Sequence, residues 1–90
     1  MQVRFFATYR DITRANSIEA PAPETVRGLL VMLSGRYGRA MQNKLFLPDG
    51  SLSWDAIVLV NGRNIVHLDG LDTALADTDA VSIFPMVAGG

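Results

Sequence analysis

The stretch Val81-Ser-Ile-Phe-Pro-Met-Val-Ala-Gly-Gly90 decides how the rest of the chain is read. It begins as a strand: Val81, Ser82, Ile83 and Phe84 run apolar, polar, apolar, aromatic in a segment dense in β-formers. Pro85 lacks a backbone donor, so the ladder should stop there or continue only as an edge. From Met86 the side chains shrink through Val87 and Ala88 to Gly89 and Gly90. Such a taper can enter a channel that any Cβ would block. Chain ends are often ragged and without function. An arbitrary end, however, is polar rather than a strand feeding an apolar taper.

The chemistry open to this end is narrow. A carboxylate is a poor electrophile and must be activated, normally as an acyl-adenylate made from ATP. A terminal glycine then offers an unhindered acyl carbon. Attack by a sulfur donor gives a thiocarboxylate, and the chain becomes a sulfur carrier. Attack by a lysine amine gives an isopeptide, and the chain becomes a protein modifier. In both cases the reacting group is the Gly90 carboxylate and the active site lies in a partner. The chain is therefore not expected to be an enzyme alone. A binding module with an incidental tail is the third reading.

Ninety residues make one domain. Eight basic and nine acidic residues give a net charge of −1, spread along the chain. That leaves no basic footprint for nucleic acid and no polybasic patch for a membrane. The longest apolar runs, 29–33 and 56–60, fall far short of a membrane span. Arg4 follows only three residues, so no signal peptide is expected. Cysteine is absent, which excludes disulfides, Cys-ligated zinc and a Cys nucleophile. A reducing, cytoplasmic location is the expectation.

Val3 to Tyr9 reads as a strand, with Val3, Phe5 and Ala7 on one side and Arg4, Phe6 and Thr8 on the other. The polar run from Arg10 to Asn16 should turn the chain into a short strand near Ser17–Ala20, closed by Pro21 and Pro23. Thr25 suits a helix N-cap. Val26, Leu29, Leu30, Leu33 and Tyr37 then follow at helical spacing, and Gly38 suits the C-terminal stop. Gly28 and Gly35 would mark close approach of that helix to the sheet. Ala40–Trp54 gives no clear pattern beyond Leu45-Phe-Leu47, a short strand or pinned loop, and a turn at Pro48-Asp-Gly-Ser51. Ala56–Val60 reads as a strand, Asn61-Gly62 as a two-residue turn, and Ile65–Leu68 as a short returning strand. Leu71–Ala76 would form a brief helical turn before the Asp77-Thr-Asp79 loop.

One main helix can cover only one face of a four- or five-stranded sheet. The first and last strands can pair in parallel at its centre, with the helix in the right-handed connection. The expected fold is α+β: a β-grasp, ubiquitin-like mixed sheet with the helix on one face. Residues 1–85 would form this domain and 86–90 a flexible tail.

Phe84-Pro-Met-Val-Ala-Gly-Gly90 resembles the closing motif of the MoaD/ThiS family of ubiquitin-like sulfur carriers. Val3–Ile12 is similar to that family's first strand and turn, and Thr25-Val-Arg-Gly-Leu-Leu30 to its helix start. Val58-Leu-Val-Asn-Gly62 and Leu75–Pro85 are similar to its third strand and its acidic turn before the last strand. Met86 departs from the pattern, which usually has a second proline there, and Met41–Trp54 is longer than in the shortest members. The Phe-Pro step leans toward the MoaD-like branch.

The resemblance implies sulfur transfer. A ubiquitin-activating-like adenylyltransferase would consume ATP to adenylate Gly90, and a sulfur donor would replace AMP. The tail, Met86, Val87, Ala88 and Gly89, would thread a partner's channel. In the MoaD branch that partner is the large subunit of molybdopterin synthase; in the ThiS branch the sulfur goes to the thiazole of thiamin. No bound cofactor is expected.

Phe84 is out of phase with Val81 and Ile83, and Phe6 with Val3 and Phe5. The two aromatics, with Pro85, would form a partner interface on the open face. The alternative is that the Ala40–Trp54 segment covers one or both. His67 is the only histidine, so no metal site is expected. Asp77 and Asp79 fit turn chemistry better than paired acid–base carboxylates. Trp54 is expected as a lid over the edge of the core.

Overall fold

The computed structural model describes residues 1–86. Val87, Ala88, Gly89 and Gly90 lie outside the described residues.

The first strand, β1, is Gln2–Phe5, shorter than the sequence suggests. Ala7 holds φ 52°, a region L residues seldom occupy, and reverses the chain into a helix, α1, Thr8–Thr13. Much of the expected polar turn is therefore helical. Six residues with only Tyr9 and Ile12 apolar are too few to show a helical period. After Arg14, at φ 58°, comes β2, Ser17–Glu19, antiparallel to β1.

The main helix, α2, is Val26–Tyr37. The Thr25 side chain accepts a hydrogen bond from the Gly28 N–H at 3.3 Å and caps it. Val26, Leu29, Leu30 and Leu33 are fully buried, each contributing about 1.5–3 kcal/mol of apolar burial before entropy is subtracted. Gly38, at φ 88°, stops it. Neither helical glycine marks an approach to the sheet: a Cβ on Gly28 would sit 3.0 Å from the Pro23 Cβ, in the loop ahead of the helix. Gly35 faces open space.

A further helix, α3, Arg39–Leu45, occupies the segment that lacked a pattern in the sequence. It packs against α2 and buries Met41 and Leu45 completely. Phe46 forms an isolated antiparallel bridge with Leu52 across the Pro48–Gly50 turn. Strand β3 is Ile57–Val60. Asn61 and Gly62, at φ 51° and 82°, make the tight turn that pairs it with β4, Arg63–Asn64. The expected strand over Ile65–Leu68 is instead a 3-10 turn, Ile65–His67, because the Asn64 side chain accepts the Val66 N–H at 3.0 Å and folds the backbone back. A second 3-10 turn, Gly70–Asp72, precedes the last strand, β5, Ala80–Phe84.

The five strands form one mixed sheet in the order β2-β1-β5-β3-β4. β1 and β5 run parallel at its centre, and every other pair is antiparallel. Val3, Phe5, Val58, Val60, Val81 and Ile83 point to one face and form the core with the helices. The fold is α+β, a ubiquitin-like β-grasp with α2 as the main helix and two shorter helices beside the sheet.

Candidate functional site

The parallel register of β1 and β5 sets Phe5 beside Ile83. One step further brings Phe6 beside Phe84, and the Phe6 N–H donates to the Ile83 carbonyl at 3.1 Å. The two rings meet edge-on, centroids 4.8 Å apart and planes at 61°. On the other side Phe84 pairs with Ile57. Phe6, just past the end of β1, thus makes an apolar row with Phe84 of β5 and Ile57 of β3, on the face opposite the helices. Phe6 is 38% exposed; Phe84, Ile57 and Pro85 are half-buried. The sequence-predicted interface residues therefore do come together, and each retains some exposure.

The antiparallel register of β3 and β5 continues past Pro85. The Met86 N–H donates to the Asp55 carbonyl at 3.3 Å, one rung beyond the end of the strand. Met86 is 56% exposed. Trp54, next to Asp55, is 81% exposed and does not cover the core edge as expected. Leu52 and Ala56 stand at strand spacing from it and Ile57 and Val58 at helix spacing, so the hydrophobic pattern carried no signal of its exposure.

Under the root of the tail lies a group the sequence did not suggest. Tyr9 is fully buried, and its hydroxyl lies 2.9 Å from the Asp55 carbonyl and 3.1 Å from the Lys44 carbonyl. The Lys44 ammonium pairs with the Asp55 carboxylate and sits 5.2 Å from the centre of the Tyr9 ring. Burial, and secondarily the Asp55 charge, push the Tyr9 phenol well above its usual range, so it stays a donor.

Charge is divided along β5. Arg4 and Arg10, both exposed, line a shallow depression beside Phe6 with Asn16 and Ser17. At the opposite end of the strand Asp77 and Asp79 organise turns. Asp77 accepts the Ala22 N–H at 2.7 Å; Asp79 accepts the Asn61 amide and the Ala76 N–H, each at 2.8 Å. The Asn61 bond, and then the Ala76 bond, hold the Asp79 carboxyl below its ordinary value. His67 is exposed on its 3-10 turn. A groove of about 650 Å³ lies between α2, α3 and the 46–50 turn, lined by Val31, Gln42, Phe46 and Leu47 among others.

A β-grasp domain whose last strand ends in an aromatic row and leads to a Gly-Gly end belongs to the ubiquitin-like class. The ThiS family model matches residues 3–90, and the chain belongs to this family of ubiquitin-like sulfur carriers. Small archaeal modifier protein 3 of Haloferax volcanii is 42% identical over 96 residues, spanning 100% of this chain and 98% of the relative. The solution structure of small archaeal modifier protein 1 from Methanosarcina acetivorans superposes with a TM-score of 0.86 at 32% identity, covering 99% of this chain and 94% of that one. A candidate molybdopterin converting factor, subunit 1, from Pyrococcus furiosus gives 0.71 at 28% identity, covering 96% and 95%. Among the described residues no helix is long and apolar enough to cross a membrane.

Proposed function

We propose that this chain carries sulfur as a thiocarboxylate on Gly90 and donates it in molybdopterin synthesis. The observation that carries the reading is the apolar row Phe6–Phe84–Ile57, set at the end of the strand that leads into Val87-Ala-Gly-Gly90. It supplies a docking surface next to the reacting end. A partner adenylyltransferase joins the Gly90 carboxylate to ATP, releasing pyrophosphate. Hydrosulfide delivered by a donor then attacks the acyl carbon and expels AMP, leaving the thiocarboxylate. That sulfur attacks the acceptor carbon and forms a carbon–sulfur bond as an oxygen leaving group departs with the electron pair of the carbon–oxygen bond, and water then cleaves the acyl–sulfur bond to restore the carboxylate. Phe84, Phe6 and Pro85 seat the domain, while Met86 to Gly89 thread the channel. Arg4 and Arg10 meet carboxylates at the rim of the partner, where charge governs encounter more than affinity. The molybdopterin branch draws support from the Phe84-Pro85 step and the likeness to the Pyrococcus furiosus protein.

The second reading is a modifier that forms isopeptide bonds through Gly90. It is favoured by the likeness to proteins described as small archaeal modifiers. The intact mass of the purified chain separates the two after incubation with its adenylyltransferase, ATP and sulfide. Exchange of one oxygen for sulfur, lost when Gly90 is removed, is the expected result. Unchanged mass with an active enzyme, together with the chain attached to lysines of other proteins, would make it a modifier instead.

A further inference from the structure

We propose that Tyr9, Lys44 and Asp55 form a clamp on the root of the tail, and that Tyr9 is a positioning residue for delivery of Gly90. The inference rests on the adenylation reading above. Pro85 has no N–H, so the Met86 N–H is the first backbone donor after Phe84 and the last among the described residues. Its acceptor is the Asp55 carbonyl, just ahead of β3. That carbonyl is held from beneath by the Tyr9 hydroxyl at 2.9 Å, which also reaches the Lys44 carbonyl at the end of α3. The Lys44 ammonium closes the ring of contacts on the Asp55 carboxylate and over the Tyr9 face. Three distant parts of the chain thereby meet at one carbonyl, with Met86 bonded to it.

The placement has a consequence at the far end. Four residues of extended chain reach at most about 14 Å, so a small tilt at Met86 moves the Gly90 carboxylate by several ångströms. A misplacement of about 1 Å at a reacting atom can cost on the order of a hundredfold in rate. The aromatic row governs whether the domain docks; the clamp governs where the tail points once docked. Loss of the clamp should therefore lower kcat while KM for the chain holds.

Tyr9→Phe in the full chain removes the hydroxyl and keeps the ring. Amide hydrogen exchange of Met86 is compared with that of Val81 and Ile83, and adenylation is followed as pyrophosphate released from ATP by the adenylyltransferase. Met86 should exchange about tenfold faster relative to Val81 and Ile83, with kcat down about tenfold and KM within about twofold. Equal loosening at all three amides, an unmoved Met86, or an effect confined to KM would each overturn the proposal. Should Tyr9→Phe fail to fold, Lys44→Met carries the same test with the hydroxyl in place. There a Met86 amide about threefold faster is expected, and no change overturns the clamp. If wild-type Gly90 is never adenylated, the sulfur-carrier reading fails, while Met86 exchange still shows whether the clamp holds the root.

Discussion

The two faces of β5 divide the labour of the molecule. Val81 and Ile83 are fully buried against the helices, whereas Ser82 and Phe84 lie on the face away from them, only partly covered. The same five residues thus supply both the centre of the core and the edge of the proposed partner surface. Alternation along a strand makes this possible, because neighbouring side chains point to opposite faces. A substitution on one face should register as stability, and one on the other as recognition.

Leu30→Ala is the strongest way to break that division from the core side. Leu30 is fully buried on α2, and its truncation should cost about 2–5 kcal/mol, read from chemical denaturation. KM for the adenylyltransferase should not move under conditions where the variant remains folded. Phe84→Ala attacks the other face. Losing the edge-on contact with Phe6 should cost only about 1 kcal/mol of stability. KM should rise about thirtyfold, the scale of an aromatic anchor at an interface. A Phe84→Ala variant that is strongly destabilised yet, where still folded, docks with unchanged KM would dissolve the distinction.

The smallest effect lies at the opposite end of β5. Asp79 has its carboxyl pKa lowered by the Asn61 and Ala76 hydrogen bonds. A lowered folded pKa stabilises the fold above the unfolded value and loses that contribution as pH falls through the folded one. Asp79→Ala should therefore be slightly less stable than wild type at neutral pH, with the gap closing in acid as pH falls below the ordinary carboxylate range. Denaturation midpoints across that range check the sign. Docking should be unaffected at any pH, since the residue is remote from Phe84.

The periodic parts of the chain were legible. Val26, Leu29, Leu30 and Leu33 announce α2, and the alternation at Val81–Ile83 announces the central strand. The partnership of Phe6 with Phe84 followed from phase alone, even though β1 ends before Phe6. What stayed hidden was short or non-local. α1 and α3 are six and seven residues long, too brief for their few buried side chains to show a repeat. The Tyr9–Asp55 hydrogen bond spans 46 residues and leaves no local pattern. Ile65–His67 carried strand-forming residues, but the Asn64 cap overrode their propensity. Trp54 was assigned to the core edge on hydrophobicity, and its surroundings decided otherwise.

Lys44 has a consequence of another kind. An acyl end activated as an adenylate reacts with any free amine or thiol it meets, including those on neighbouring copies. This chain has no cysteine and a single lysine, and that lysine is tied to Asp55. Its side chains thus offer almost nothing to attack, and with Gly90 activated as proposed, a concentrated pool of the chain would be spared self-condensation.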